Sequence, residues 1–152
     1  MKILIAFLAM ALLPPALRAQ DTKAKPSPLD WNKTDQSPRS RALELTDTLA
    51  RDGYKTRDGY WLGSLEKYMP VIIEVNLFEG NDYWFSAASM DSTACLKVSL
   101  FDAEGRPAGY EAFKDSAVAA AGISALRTGP HFVRLLITEG DKADACMVYS
   151  YK

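Results

Sequence analysis

From Ser37 onward the chain carries two hydrophobic rhythms in succession. Ala42, Leu45 and Leu49 recur at helical spacing on one face. Ser37 before them can accept a hydrogen bond from a first-turn amide, and Pro38 suits the first helical position because it needs no donor. Gly53 can supply a left-handed stop, so the spacing predicts one amphipathic helix over 38–51 that lies against a following sheet. After Gly53 the period falls to two. Tyr60, Leu62 and Ser64 alternate, then Val71, Ile73, Val75 and Leu77 point one way while Ile72, Glu74 and Asn76 point the other. Glu79-Gly80-Asn81-Asp82 reads as a turn, after which Tyr83, Phe85 and Ala87 resume the alternation. Leu96, Val98 and Leu100 alternate with Lys97 and Ser99 and run into a second turn, Asp102-Ala103-Glu104-Gly105.

The remaining segments are read the same way. Tyr110–Phe113 and Val118–Leu126 carry weaker patterns; Gly122 inside the Ala-rich stretch and Thr128-Gly129 after it favour strand over helix. Val133, Leu135 and Ile137 make the clearest strand, and Met147, Val148, Tyr149 and Tyr151 make the last. Short strands between turns at intervals of about ten residues predict a mainly β fold, an antiparallel β-sandwich of jelly-roll-like kind over 54–152, preceded by the one amphipathic helix.

The N-terminus changes the picture of compartment. Lys2 is followed by the uncharged apolar run Ile3–Leu13, then by Pro14-Pro15 and a small residue at Ala19. That is the layout of a secretory signal peptide over 1–19, and the apolar run is too short to span a hydrocarbon core. A periplasmic or secreted protein with no transmembrane anchor after processing is the expectation. Residues 20–37, polar and carrying Pro26 and Pro28, read as a flexible leader, and 38–152 as a single domain. Removal of Lys2 and Arg18 leaves 16 basic against 19 acidic residues. That mild acidic surplus argues against a nucleic-acid or anionic-membrane partner, which calls for clustered Lys and Arg.

Cys95 and Cys146 are the only cysteines, and in an oxidising compartment an even pair in a small domain points to a disulfide. In the chain-entropy model such a staple would stabilise the fold by roughly 4 kcal/mol.

The turn-and-strand order resembles a known family. Leu77-Phe78-Glu79-Gly80-Asn81-Asp82-Tyr83-Trp84-Phe85, then Leu96–Gly105, then Thr128-Gly129-Pro130-His131-Phe132-Val133-Arg134-Leu135 is similar to the bacterial pre-peptidase C-terminal domain, over about 70–152. The resemblance implies a β-sandwich module of secreted proteins, of the kind that accompanies peptidases and other enzymes without performing the chemistry. The chain departs from that pattern at His131, where an aromatic is commoner. It departs again at Lys97 and Ser99, which stand where relatives that bind calcium alternate acids.

The candidate chemistry is sparse. His131, the only histidine, heads an apolar strand after a Gly-Pro turn and reads as a ring covering the end of the core. The acids between Glu74 and Asp144 fall mostly in turns, and no pair stands out for glycoside cleavage. Asp82, Asp91, Asp102 and Glu104 are the candidates for oxygen ligation of calcium, although they lack the close spacing of a dedicated loop. With Tyr83 and Phe85 inward, Trp84 faces outward, either covered by the helix or, with Trp61, open to stack on a sugar or a partner. The expectation is therefore a non-catalytic binding or accessory module with a protein or envelope partner. The alternative is a carbohydrate-binding domain using Trp84 and Trp61.

Overall fold

The computed structural model describes residues 37–113 and 116–152, all within one compact unit spanning Lys33–Lys152. The expected signal peptide over 1–19, and the expected leader apart from Ser37, lie outside the described residues. The helix α1 runs from Pro38 to Ala50. Ser37 caps it, its Oγ accepting the Ser40 amide at 3.1 Å. Gly53 follows at φ 86°, the left-handed stop expected of that position.

Nine strands follow among the described residues. They are β1 (Lys55–Glu66), β2 (Val71–Leu77), β3 (Asp82–Ser89), β4 (Cys95–Phe101) and β5 (Pro107–Ala108), then β6 (Tyr110–Phe113), β7 (Val118–Ser124), β8 (Gly129–Glu139) and β9 (Lys142–Tyr151). They form two antiparallel sheets, a larger one in the order β1-β9-β3-β7-β6 and a smaller one in the order β2-β8-β4-β5. The first strand pairs with the last, the second with the last but one and the third with β7, so the chain is a long hairpin wound over itself. That is jelly-roll topology.

Alternation places the core as the sequence implied. Tyr83, Phe85 and Ala87 of β3, Leu96, Val98 and Leu100 of β4, and Val133, Leu135 and Ile137 of β8 all meet between the sheets. Tyr83 also holds the turn before it, since its hydroxyl accepts the Phe78 amide at 2.9 Å and the Asn81 amide group at 3.3 Å. A buried phenol thus has its polar end satisfied. On β1 the parity is the reverse of the sequence reading: Trp61 and Leu65 turn inward, while Tyr60 and Leu62 stay exposed on the opposite face. The Ala-rich stretch is strand β7, paired residue for residue with β3 from Asp82↔Ser124 to Ala88↔Val118.

The cysteine expectation is overturned. Cys95 and Cys146 do not form a disulfide. Cys95 opens β4 of the smaller sheet beside a register irregularity, half-buried and donating to Glu139 Oε2 at 3.3 Å. Cys146 sits on β9 of the larger sheet, where Ala145 and Met147 point inward and Cys146 turns to the outer face, packed with Ala42 of the helix, Ala88 and Val148. The two thiols belong to different sheets, which in a sandwich stand about 10 Å apart, and Cys146 looks away from the interior between them.

Candidate functional site

The outer faces of the two sheets differ. The larger sheet seats α1, whose Ala42 enters a cluster with Ala88, Cys146 and Val148, and whose Arg41 guanidinium donates to the Ser89 carbonyl at 2.8 Å. Burial in that seat pushes the Cys146 thiol pKa up, with Arg39 acting weakly the other way. Trp84 belongs to the same outer face, yet the helix's apolar cluster is not built on it. Its indole packs on Tyr110 of β6, with ring centroids 5.6 Å apart, and both rings lie over the bare backbone of Gly122. Trp84 keeps 9% of its surface and Tyr110 keeps 59%. The face left open to a ligand is therefore that of Tyr110. Trp61 turns inward against the core, so neither tryptophan is an open stacking platform.

The smaller sheet carries no helix on its outer face among the described residues. Alternation sends Phe101 of β4, Phe132, Arg134 and Leu136 of β8, and Ile72 and Glu74 of β2 to this side. Register places Arg134 between Ile72 and Ser99, and Phe132 between Glu74 and Phe101. Arg134 lies 5.1 Å from the Phe101 ring centroid and donates from Nη2 to Ser99 Oγ at 3.2 Å. The Ser99 hydroxyl in turn donates a hydrogen bond to Glu111 Oε1 at 2.9 Å, and Lys97 approaches the same carboxylate at 3.6 Å. Arg134 Nε is buried without a hydrogen-bond partner among the described residues. A groove of about 590 Å³ beside this network is lined by Ser99, Phe101, Tyr110, Glu111 and Arg134. Chemically the groove offers ring faces, an arginine guanidinium and a carboxylate acceptor.

No family model and no curated protein matches this chain. Its reading therefore rests on the geometry.

The remaining candidates are tied into structure. His131 heads the inward row of β8 and is buried; its Nδ1 meets the Gly129 carbonyl at 3.1 Å, and because a carbonyl only accepts, Nδ1 carries the proton. The ring closes one end of the core and floors a cleft of about 430 Å³ with Pro107, Ile123, Arg127 and Pro130. Asp102 accepts the Arg106 and Glu104 amides at 2.9 and 3.0 Å and pairs with the Arg106 guanidinium at 2.8 Å; Glu104 pairs with the same arginine. Those bonds, the Arg106 amide first, hold the Asp102 carboxyl below its ordinary value. Asp91 is likewise lowered by the Thr93 hydroxyl and amide, and Asp82 accepts the Ser124 hydroxyl. Asp102 and Glu104 share one turn, Asp91 lies in another and Asp82 opens β3, and among the described residues no three His, Cys, Asp or Glu side chains converge as a metal site would require.

Sequence reasoning missed Ser99, Tyr110, Glu111 and Arg134 as a group. Parity alone could have found the pair on neighbouring strands, since Ser99 and Arg134 both fall on the outward row. Glu111 comes from the opposite sheet's edge, which no local pattern announces.

Proposed function

We propose that this chain is an exported, non-catalytic binding or accessory module on a sandwich of the pre-peptidase C-terminal domain kind, and that it engages a protein or envelope component through the outer face of the smaller sheet. One observation carries the reading: the larger sheet seats α1 on its outer face, whereas the smaller sheet, bare of any helix among the described residues, presents Phe101, Phe132, Leu136 and Ile72 around Arg134. A patch of rings and aliphatics centred on Arg is the composition from which interface hot spots are built. The partner it suits supplies an acceptor oxygen to Arg134, flanked by apolar groups.

The test is photo-crosslinking in the producing cell. A photoreactive residue at Phe132 is compared with one at Glu44, on the exposed side of the helix. A discrete adduct formed from Phe132 and missing from Glu44 supports the reading. Equal labelling at both positions, or none at Phe132, refutes it.

A second reading, carbohydrate binding, is favoured by the Tyr110 ring propped on Trp84 beside the groove that holds Glu111 and Arg134. Ring stacking with flanking charged hydrogen-bonding groups suits a sugar. Saturable glycan binding that Tyr110→Ala abolishes would select it; glycan binding that survives Tyr110→Ala, or no binding at all, removes it.

A further inference from the structure

The sandwich has four sheet edges, and they differ in how open they are. β5 is two residues long, and β6 is four residues with an irregularity between Glu111 and Phe113. β1 is long but breaks register between Thr56 and Tyr60 and carries Lys55, Arg57 and Asp58 there. Short length, bulges and charge are the ordinary protections of an edge. Among the described residues β2 has little of this protection. It pairs with β8 in unbroken register from Val71↔Leu135 to Leu77↔Gly129, with no proline or lysine inside and one charge, Glu74.

Its inward row is also incompletely covered. Val71, Ile73 and Val75 are only half-buried, whereas Val133 and Leu135 beside them on β8 are fully buried. Ile72 on the outward row and Phe78 just past the strand are exposed at 54% and 52%. A further strand alongside β2 would cover both rows and use its open backbone groups.

We infer that β2 is a self-pairing edge, joining two copies of this chain in antiparallel fashion about a two-fold axis at Val75. The choice of occupant rests on self-complementarity. An axis at Val75 sets Ile73 against Leu77 of the second copy and Val75 against its own mate, closing the half-open flank with apolar pairs. On the outward row it sets Ile72 against Phe78, the two exposed apolar side chains of this segment. It sets the Glu74 carboxylate against the Asn76 amide, once on each side of the axis. A shift of the axis to Glu74 would instead bring two carboxylates face to face and leave Ile72 opposite Asn76, a pairing that like charges oppose. The interface is isologous, and it continues the smaller sheet from one copy into the next.

Sedimentation velocity over a concentration series of the purified protein tests the pairing and its register. Glu74 and Asn76 are both exposed, so their exchange leaves the fold intact. The parent protein is expected to dimerise with rising concentration. Asn76→Glu, which places carboxylate against carboxylate twice, should raise the dissociation constant about tenfold or more. The double variant Glu74→Lys/Asn76→Glu should restore dimerisation, because each lysine then meets a glutamate. A parent protein that stays monomeric at the highest concentration it reaches overturns the inference. So does a dimer indifferent to Asn76→Glu, or one that the double variant does not rescue.

Discussion

Gly122→Ala is the most exacting probe of the aromatic arrangement on the larger sheet. A methyl carbon built on Gly122 would stand 2.6 Å from both Cε3 and Cζ3 of Trp84 and 2.7 Å from Cζ of Tyr110. Carbon atoms rest about 3.5–4.0 Å apart, so one or both rings must retreat by roughly 1 Å. Trp84 is buried and cannot withdraw without disturbing its strand; Tyr110 can swing outward but then abandons the indole. An aromatic pair is worth about 0.5–1.5 kcal/mol beyond its buried area, and overpacking typically costs about 1–3 kcal/mol. A loss of about 2 kcal/mol is expected, which lowers the urea midpoint by about 1 M for a slope of about 2 kcal/mol/M. Tryptophan emission should move to the red as the indole meets water. Gly59→Ala is the control, because nothing lies within 4 Å of its added carbon. A Gly122→Ala protein with parental midpoint and emission would refute the reasoning.

Three further outcomes are expected. Ellman's reagent on native protein should find Cys95 well ahead of Cys146, whose thiolate is disfavoured by burial, and reductant should leave Tm unchanged; a Tm lowered by reductant would restore the abandoned staple. Because the Asp102 carboxyl is depressed in the folded protein, its stabilising contribution is present above the unfolded value of about 3.9 and is lost as pH falls through the folded value. The Tm gap between parent and Asp102→Asn should therefore be full at neutral pH and close in strong acid; a gap independent of pH would count against it. Phe85→Ala, which removes a fully buried ring stacked 5.1 Å from Tyr149, should cost about 3–5 kcal/mol by chemical denaturation, and a cost below about 1 kcal/mol would contradict its place in the core.

The helix, the turns and the inward rows were legible because each is written locally: Ser37-Pro38 and Gly53 bracket α1, and Leu96, Val98 and Leu100 alternate without interruption. The cysteine pairing failed because an even count says nothing about direction. Cys95 stands beside a register irregularity that alternation does not reveal, and the continuous apolar run Cys146-Met147-Val148 on β9, buried on both faces, conceals which residue looks which way. The contact of Trp84 with Tyr110 was hidden for a related reason: it depends on the register Tyr110↔Gly122↔Trp84 across three strands, which no local pattern announces. The cluster of Ser99, Glu111 and Arg134 depends on contacts between strands far apart in the chain, which periodicity does not encode.

The placement of β9 has a consequence for how the molecule comes into being. The last ten-residue strand lies between the first and third strands and beneath the helix. A nascent chain halted at Glu139 would hold β1 with no ladder to join and a helix with half of its seat missing. Two of the four pairings in the larger sheet, β1 with β9 and β3 with β9, wait on the final strand, whereas β3 with β7 and β6 with β7 do not. The link that joins the first strand and the helix's seat to the rest of the sheet is thus the last to be laid, and such nonlocal closure is slow.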